Sequence, residues 1–177
     1  MPAVDREHSA LLIVDFQTWL MPAIDDGTAV IANARRLLDA AALLAVPVIV
    51  TEQNAGGLGP TVPELRTDTA QLFHKMTFDA CRMPGFLDGL PECRNLIVSG
   101  CEAHVCVLQT VLGLIDAGRQ VYAVRDAMGS RQAESKETAL RRMERAGAEI
   151  VTTEMVVFEW LGNAADPRLR QVIDLIR

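Results

Sequence analysis

Short apolar runs alternate with longer stretches of helical periodicity along the whole chain. The apolar run at 10–14, Ala-Leu-Leu-Ile-Val, is nearly continuous, which is typical of a strand that is covered on both faces. Such runs predict strands at 10–14, 46–50, 71–77, 96–99, 121–124 and 149–152. Helices are predicted at 28–45, 103–117 and 133–146, and two short helices close the chain. Because strands and helices alternate, we expect βαβ units around a parallel sheet, in a three-layer α/β fold.

Turn residues agree with these boundaries. Gly118 and Gly147 each follow a predicted helix, at the position where glycine commonly ends one. The clearest loop is 54–60, Asn-Ala-Gly-Gly-Leu-Gly-Pro. The sequence contains no internal repeat, low-complexity segment or interdomain linker, so residues 1–177 are expected to form one domain.

Composition and charge narrow the classes of partner. Half of the residues are hydrophobic, 23% are charged, and the formal net charge is −6 at pH 7. Nucleic acids and anionic membranes attract basic surfaces, so neither is expected as a partner. The first residues lack the pattern of a signal peptide, and no apolar run approaches the roughly 18 residues that span a bilayer. We therefore expect a cytoplasmic protein whose four cysteines are free thiols.

Polar or reactive side chains follow most of the predicted strands. In parallel sheets, ligands bind beyond the carboxyl ends of the strands, so these residues are the first candidates for a site. They are Asp15, 51–53, His74 with Lys75, 101–106, and Arg125 with Asp126. The sequence thus predicts that an acid, a base and a thiol meet at one edge of the sheet.

Cys106 is the strongest single candidate. It lies in a predicted strand-to-helix turn, which places its thiol in the first turn of a helix. The helix dipole and the free amides there favour a thiolate, and the same amides could donate to an oxyanion. The alternative is a buried apolar cysteine, which is common in protein cores.

Asp15 and Lys75 each have two interpretations. Asp15 could take the proton from the thiol, or it could cap a neighbouring turn. Lys75 could keep Asp15 ionised and stabilise charge on a substrate, or it could be an ordinary solvated lysine. Asp15, Lys75 and the Cys106 thiol are all predicted at the same edge of the sheet, and this strengthens the catalytic interpretation of all three.

His104 and Arg131 are candidates for the pocket. His104 precedes Cys106 by two residues, so the two would lie on different faces of a helix, which disfavours His104 as a base. Lining the pocket or satisfying local hydrogen bonds fits His104 better. Arg131 could meet a substrate carboxylate, but Ser130 as the cap of the next helix also explains this segment.

Several catalytic motifs do not occur in the sequence. There is no cysteine followed by five residues and an arginine, no Cys-x-x-Cys, no P-loop, no His-Glu-x-x-His and no Gly-x-Ser-x-Gly. The segment 57–62 only half matches a dinucleotide fingerprint. The three histidines are too scattered for a metal site, so neither a metal nor a cofactor is expected.

Several motifs together resemble the isochorismatase-like cysteine hydrolases, over essentially the whole chain. The closest branch is the isochorismatase domain-containing proteins. The segments that carry the resemblance are 12–17, 51–53, 57–61, Lys75, 99–110 and 130–131.

The resemblance implies a six-stranded parallel sheet and an Asp-Lys-Cys triad that acts on carbon–nitrogen bonds. On this sequence Cys106 would be the nucleophile, Asp15 its base, and Lys75 the cation that supports both. It also implies a cis peptide between Cys101 and Glu102, with the amides of Glu102 and Cys106 as the oxyanion hole. Acyl transfer to the thiol and hydrolysis of a thioester would follow.

The resemblance further implies a small-molecule substrate, no cofactor and a homo-oligomer. The expected pocket residues are Phe16, Gln17, Gln53, Cys101, His104 and Arg131. The apolar segment 156–161 is a candidate interface, or else an ordinary core helix.

Two departures from related enzymes narrow the expected chemistry. Nicotinamidases in this superfamily carry an Asp-x-His metal motif after the second strand, whereas 52–55 reads Glu-Gln-Asn-Ala. Isochorismatases proper lack the cysteine, so Cys106 argues against isochorismate as substrate. The leading hypothesis is a hydrolase of a small amide, ureido or carbamoyl compound. A binding or scaffold protein, and redox chemistry at Cys101 and Cys106, are the alternatives.

Overall fold

The computed structural model describes residues 3–177, and its six strands form one sheet. The strands are β1 (Ser9–Val14), β2 (Val48–Gln53), β3 (Gln71–Lys75), β4 (Asn95–Cys101), β5 (Gln120–Gly129) and β6 (Glu149–Val151). Their spatial order is β3-β2-β1-β4-β5-β6, and every neighbouring pair is parallel. The predicted α/β fold with a six-stranded parallel sheet is confirmed.

Helices cover both faces of this sheet. They are α1 (Gly27–Leu44), α2 (Ala55–Leu58), α3 (Phe86–Gly89), α4 (Leu108–Asp116), α5 (Ala133–Ala146), α6 (Thr153–Leu161) and α7 (Leu169–Ile176). Helices α1, α6 and α7 pack together on one face, and α4 packs against α5 on the other. No helix within residues 3–177 combines the length and the apolar character needed to cross a lipid bilayer.

The central strand β1 contributes to a separate hydrophobic core on each face. Leu11 and Ile13 point into the core beneath α1 and α6, whereas Leu12 and Val14 point into the core beneath α4 and α5. All four side chains are completely buried, and each such burial contributes about 1.5–3 kcal/mol. Burial on both faces explains why this strand lacks an alternation of polar and apolar residues.

The fifth strand is longer than predicted, and this changes the position of two charged residues. β5 continues to Gly129, and its register against β4 shifts between Val98 and Gly100. Arg125 and Asp126 therefore lie within β5 at an irregularity, and the prediction that they follow the strand is wrong.

Both of these side chains are engaged locally. Arg125 forms an exposed ion pair of 2.9 Å with Glu137. Asp126 Oδ1 accepts hydrogen bonds from the amide and the hydroxyl of Thr153, the first residue of α6. Asp126 thus holds the start of α6, since the amides of a first helical turn need external acceptors.

Smaller differences concern the ends of elements. The 54–60 loop contains the short helix α2, and β3 ends at Lys75 two residues earlier than predicted. The predicted helix 103–117 begins with a π-helical turn, Ala103–Val107, before α4. The apolar segment 156–161 is mainly a core element of this chain, because four of its six residues are buried.

Gly100 permits a close approach of three elements beside the thiol-bearing turn. A Cβ at this position would lie 2.6 Å from Val14 Cβ and 2.9 Å from Val107 Cγ2. Both distances are shorter than carbon atoms tolerate, so β4 can lie this close to β1 and to the π-helical turn only with glycine there.

Replacing Gly100 by alanine should therefore destabilise the fold. We expect Gly100→Ala to lower the free energy of unfolding by about 1–3 kcal/mol, through overpacking. Urea denaturation measures this change. Gly56→Ala is the matched control, since a Cβ there meets no atom within 4 Å and alanine favours the helical backbone of α2. Equal stability of the two variants would contradict the close-packing argument.

Candidate active site

Asp15 stands directly after β1, with its carboxylate enclosed in the protein. Its φ of 53° turns the chain out of the strand, and the residue has no exposed surface. Oδ1 accepts a hydrogen bond of 2.6 Å from the Thr51 hydroxyl on β2, and Oδ2 accepts one of 2.6 Å from Lys75 Nζ. Both carboxylate oxygens are thus held, one by the neighbouring strand β2 and the other by β3, the strand beyond it.

Lys75 ends the edge strand β3 and turns its ammonium group inward. Its side chain and that of Asp15 are both 0% exposed. The other two hydrogen bonds of Nζ, each 3.2 Å long, go to the backbone carbonyls of Thr77 and Phe78. A buried ion pair persists only when such additional hydrogen bonds offset the loss of water. The interpretation of Lys75 as a solvated lysine is therefore wrong.

Cys106 lies in the π-helical turn that precedes α4, and only 7% of its surface is exposed. Asp15 and Lys75 are the charged groups that act on its thiol. The pKa of the Cys106 thiol is raised from an ordinary 9.0 to about 12, mainly by burial and also by the Asp15 charge, whereas Lys75 lowers it. Burial thus opposes the thiolate that the start of the helix is expected to favour.

The turn before Cys106 is held by two consecutive residues of the β5–α5 loop. The peptide bond between Cys101 and Glu102 is cis. The Glu102 carboxylate accepts hydrogen bonds from the Arg131 amide at 2.9 Å and from Arg131 Nε at 3.1 Å. The Ser130 hydroxyl and His104 Nδ1 share a hydrogen bond of 3.0 Å. Ser130 and Arg131 thus fix the backbone on which the thiol is mounted.

The predicted pocket residues Gln17, Gln53 and Phe16 lie beside the site, but they mainly hold its loops. Gln17 is fully buried; its Nε2 donates to the carbonyls of Gln53 and Gly59, and its Oε1 accepts from the Gln53 amide. The Gln53 side chain donates to the Met76 carbonyl. Phe16 is completely buried in the core beneath α1.

Cys101 is also completely buried in that core, and burial raises the pKa of its thiol. Of the six predicted pocket residues, Arg131 is exposed, and Gln53 and His104 are half-buried. His104 lines a cavity of about 430 Å³ between the π-helical turn and α5, together with Gln132 and Arg142. The Arg131 side chain is 60% exposed.

Three contributors to the site were not assigned a role from the sequence. Thr51 follows an apolar run, as Asp15 does, and pairing of β1 with β2 would have pointed to their contact. The carbonyls of Thr77 and Phe78 carry no side-chain signal at all. Within residues 3–177, no group of three or more His, Cys, Asp or Glu side chains is arranged to hold a metal ion.

A six-stranded parallel sheet with reactive side chains beyond its carboxyl ends is the architecture of the isochorismatase-like hydrolases. Comparison with known sequences leads to the same class. The family model described as Isochorismatase domain matches residues 9–155. The chain belongs to this family, as the sequence motifs predicted, and its fold is that of an isochorismatase-like hydrolase.

Individual relatives agree over nearly the full chain. Isochorismatase domain-containing protein 2 of Xenopus laevis is 36% identical over 173 residues, which are 97% of this chain and 84% of that protein. The structure of the MAR1 ribonuclease of Caenorhabditis elegans matches with a TM-score of 0.94 and 38% identity, covering 99% of this chain and 92% of the other. The YcaC product of Escherichia coli, an octameric hydrolase of unknown specificity, matches with a TM-score of 0.89 and 28% identity, covering 98% and 90%.

The raised pKa of Cys106 links the site to stability at alkaline pH. The folded protein holds this thiol proton more tightly than the unfolded chain, so the contribution is complete below pH 9.0 and is lost as pH rises toward about 12. We expect the stability advantage of the wild type over Cys106→Ala to fall by about 1–2 kcal/mol between pH 8 and pH 10.5. Urea denaturation at the two pH values measures it, and a constant difference would contradict the raised pKa.

Proposed function

We propose that residues 1–177 form one cysteine hydrolase domain that cleaves a carbon–nitrogen bond in a small amide, ureido or carbamoyl compound. One observation carries the proposal. Among the ion pairs of the described residues, that between Asp15 and Lys75 has both side chains completely buried, and both of its charges act on the Cys106 thiol. An acid–base partner, a fixed positive charge and a nucleophile are the parts that covalent catalysis needs.

The first step is proton transfer from the thiol to Asp15. The raised pKa of Cys106 keeps the thiol neutral at physiological pH, so a base must remove its proton as the sulfur attacks. We assign this role to the Asp15 carboxylate, whose Oδ2 accepts a hydrogen bond of 2.6 Å from Lys75 Nζ. Lys75 also offsets the negative charge that develops on sulfur.

In the second step, sulfur bonds to the substrate carbonyl carbon and the carbonyl oxygen becomes an oxyanion. We assign its stabilisation to the backbone amides of Glu102 and Cys106. The carbon–nitrogen bond then breaks, and the proton held by Asp15 moves to the departing amine or ammonia. Water hydrolyses the thioester with Asp15 again as base, which releases the acid product and restores the thiol.

The substrate pocket is proposed to lie over the π-helical turn that carries Cys106. Arg131 keeps an exposed guanidinium group beside Glu102, which suits a substrate carboxylate. His104 lines a cavity beside this turn, between the turn and α5. Phe16, Gln17, Gln53 and Cys101 support the walls of the site from beneath, because their side chains are buried or bonded to loop backbone.

We propose a small molecule rather than a nucleic acid as the substrate. The C. elegans neighbour is described as a ribonuclease. RNA binding, however, depends on basic surfaces, whereas this chain has a formal charge of −6. The same charge disfavours an anionic membrane as partner.

We propose that the reaction needs no cofactor. We also propose that the protein works in the reducing cytoplasm, where its four free cysteines remain reduced.

We also propose that the protein is a homo-oligomer. Trp19, Met76 and Phe78 are 64%, 72% and 50% exposed, which is unusual for side chains of this size. Met76 and Phe78 follow Lys75 by one and three residues, and Trp19 lies against Gly59 of the neighbouring loop. Their burial by further subunits would agree with the octameric E. coli relative.

Alkylation by iodoacetamide tests the assignment of the nucleophile and its base. Cys106 should react faster than Cys81, whose pKa is also raised to about 12 but which lacks the lysine partner. Asp15→Asn should slow the reaction of Cys106 about tenfold or more, since general-base assistance is typically worth at least that factor. Site-resolved mass spectrometry measures both rates.

The direction of the Asp15→Asn effect separates two roles. The Asp15 charge raises the pKa of the thiol, so its removal should speed alkylation if Asp15 acted through charge alone. Asp166→Asn, which removes a carboxylate bound to Arg168, is the matched control and should leave the rate unchanged. A faster Asp15→Asn variant, or a Cys106 that is inert throughout, would overturn the mechanism and favour a binding or scaffold protein. If Cys106 reacts fastest and Asp15→Asn slows it, a screen of amides and ureides for ammonia release should identify the substrate.

A further inference from the structure

The segment that follows β3, residues 76–79, has no regular secondary structure, yet it holds the Lys75 ammonium group. The Thr77 and Phe78 carbonyls each accept a hydrogen bond of 3.2 Å from Lys75 Nζ, and Asp15 accepts one of 2.6 Å. These three bonds match the three donors of an ammonium group. The position of this charge therefore depends on how the backbone of Thr77 and Phe78 is held.

The side chain of Thr110, in the helix α4 that follows the Cys106 turn, holds the segment 76–79 through Ala80. The hydroxyl oxygen of Thr110, in α4, accepts a hydrogen bond of 3.0 Å from the amide of Ala80. Thr110 is completely buried, and it follows Cys106 by four residues, which is about one helical turn. This hydrogen bond joins α4 to the turn after β3. The Cys81 thiol adds a longer contact of 3.8 Å to the Thr110 carbonyl.

The turn after β3 is compact and packs closely on α4. Asp79 Oδ1 accepts a hydrogen bond of 2.8 Å from the Cys81 amide, and the Asp79 carbonyl accepts one of 2.7 Å from the Thr77 hydroxyl. A Cβ at Gly113, one turn beyond Thr110, would lie 2.8 Å from Asp79 Oδ1 and 2.9 Å from Cys81 Cβ. A displacement at Ala80 or Asp79 is therefore passed to the Thr77 and Phe78 carbonyls.

We propose that Thr110 is a positioning residue of the hydrolase site, which sets the place of the Lys75 ammonium group relative to the Cys106 thiol. Thr110 acts through the Ala80 amide and the Thr77 and Phe78 carbonyls. The π-helical turn thus carries Cys106, and α4, which continues it, carries Thr110 four residues later. The inference rests on the proposed function, since it requires Asp15, Lys75 and Cys106 to act together.

Thr110→Val keeps the shape of the side chain but leaves the Ala80 amide without an acceptor. The segment should then relax and carry the Lys75 charge away from the thiol. The charged groups that face Cys106 are Asp15 and Lys75, and Lys75 lowers its pKa. Loss of the Lys75 charge should raise the pKa of Cys106, and a rise of about one unit lowers the thiolate fraction tenfold. We therefore expect iodoacetamide to alkylate Cys106 of the variant about tenfold more slowly than that of the wild type at any pH from about 7 to about 10. Thr110→Ser, which retains the hydroxyl, should react like the wild type.

Two further comparisons separate positioning from a loss of stability. Thr153→Val is the matched control: Thr153 is 3% exposed and donates to Asp126 at the start of α6, away from the thiol, so its loss should not change the alkylation rate. In a Lys75→Gln background, Thr110→Val should have no additional effect, since residues that act through one another are not additive. Wild-type kinetics in folded Thr110→Val, or an equal slowing in both backgrounds, would overturn the inference.

The failure of this inference is distinguishable from a failure of the proposed function. If Cys106 of the wild type reacts no faster than Cys81, or if Lys75→Gln leaves its rate unchanged, the proposed triad fails and the inference with it. If both differences are found and Thr110→Val equals the wild type, only the role of Thr110 is rejected. Should Thr110→Val not fold, Gly113→Ala decides, because it keeps the hydroxyl and pushes the same turn away from α4.

Discussion

The buried ion pair between Asp15 and Lys75 is the interaction on which the rest of the site depends. Removing two charges from water costs several kcal/mol per ion, and their attraction offsets this only with good geometry and further hydrogen bonds. Here the distance is 2.6 Å, and the Thr51 hydroxyl and the Thr77 and Phe78 carbonyls supply those bonds. Replacing one partner would leave the other charge buried and unpaired, so the two residues form a unit.

The strand order makes this pair possible. Asp15 leaves β1 at the middle of the sheet, and Lys75 ends β3 at its edge, with β2 between them. Lysine is long enough to reach across one strand, and Thr51 on β2 fills the gap beneath the pair. The same strand β1 has β4 as its other neighbour, and β4 leads directly into the turn of Cys106. A parallel order therefore brings an acid, a cation and a thiol together from segments that are 60 and 31 residues apart along the chain.

Much of this could be predicted from the sequence, because strand ends are marked by where apolar runs stop. That signal placed Asp15 after β1, and the strand-to-helix turn after β4 pointed to Cys106. Lys75 fell inside the predicted strand 71–77, whereas it ends β3 in the structure. The signal fails where a polar residue interrupts a strand, as Arg125 and Asp126 do in β5. It also fails for Gln17, whose partners are backbone atoms of a loop. A helix start is visible in a sequence, whereas the degree of burial, which raises the pKa of Cys106, is not.

The neutral state of the thiol also bears on the redox alternative. Thiolates, not thiols, attack disulfides and react with oxidants, so a raised pKa slows both reactions. Burial raises the pKa of Cys101 as well as that of Cys106, and Cys101 has no exposed surface. Both residues are free thiols. A redox couple needs at least one low-pKa, accessible partner, whereas a hydrolase with an adjacent carboxylate base can keep its thiol protonated until substrate arrives. The raised pKa therefore argues against redox chemistry and is compatible with general-base activation by Asp15.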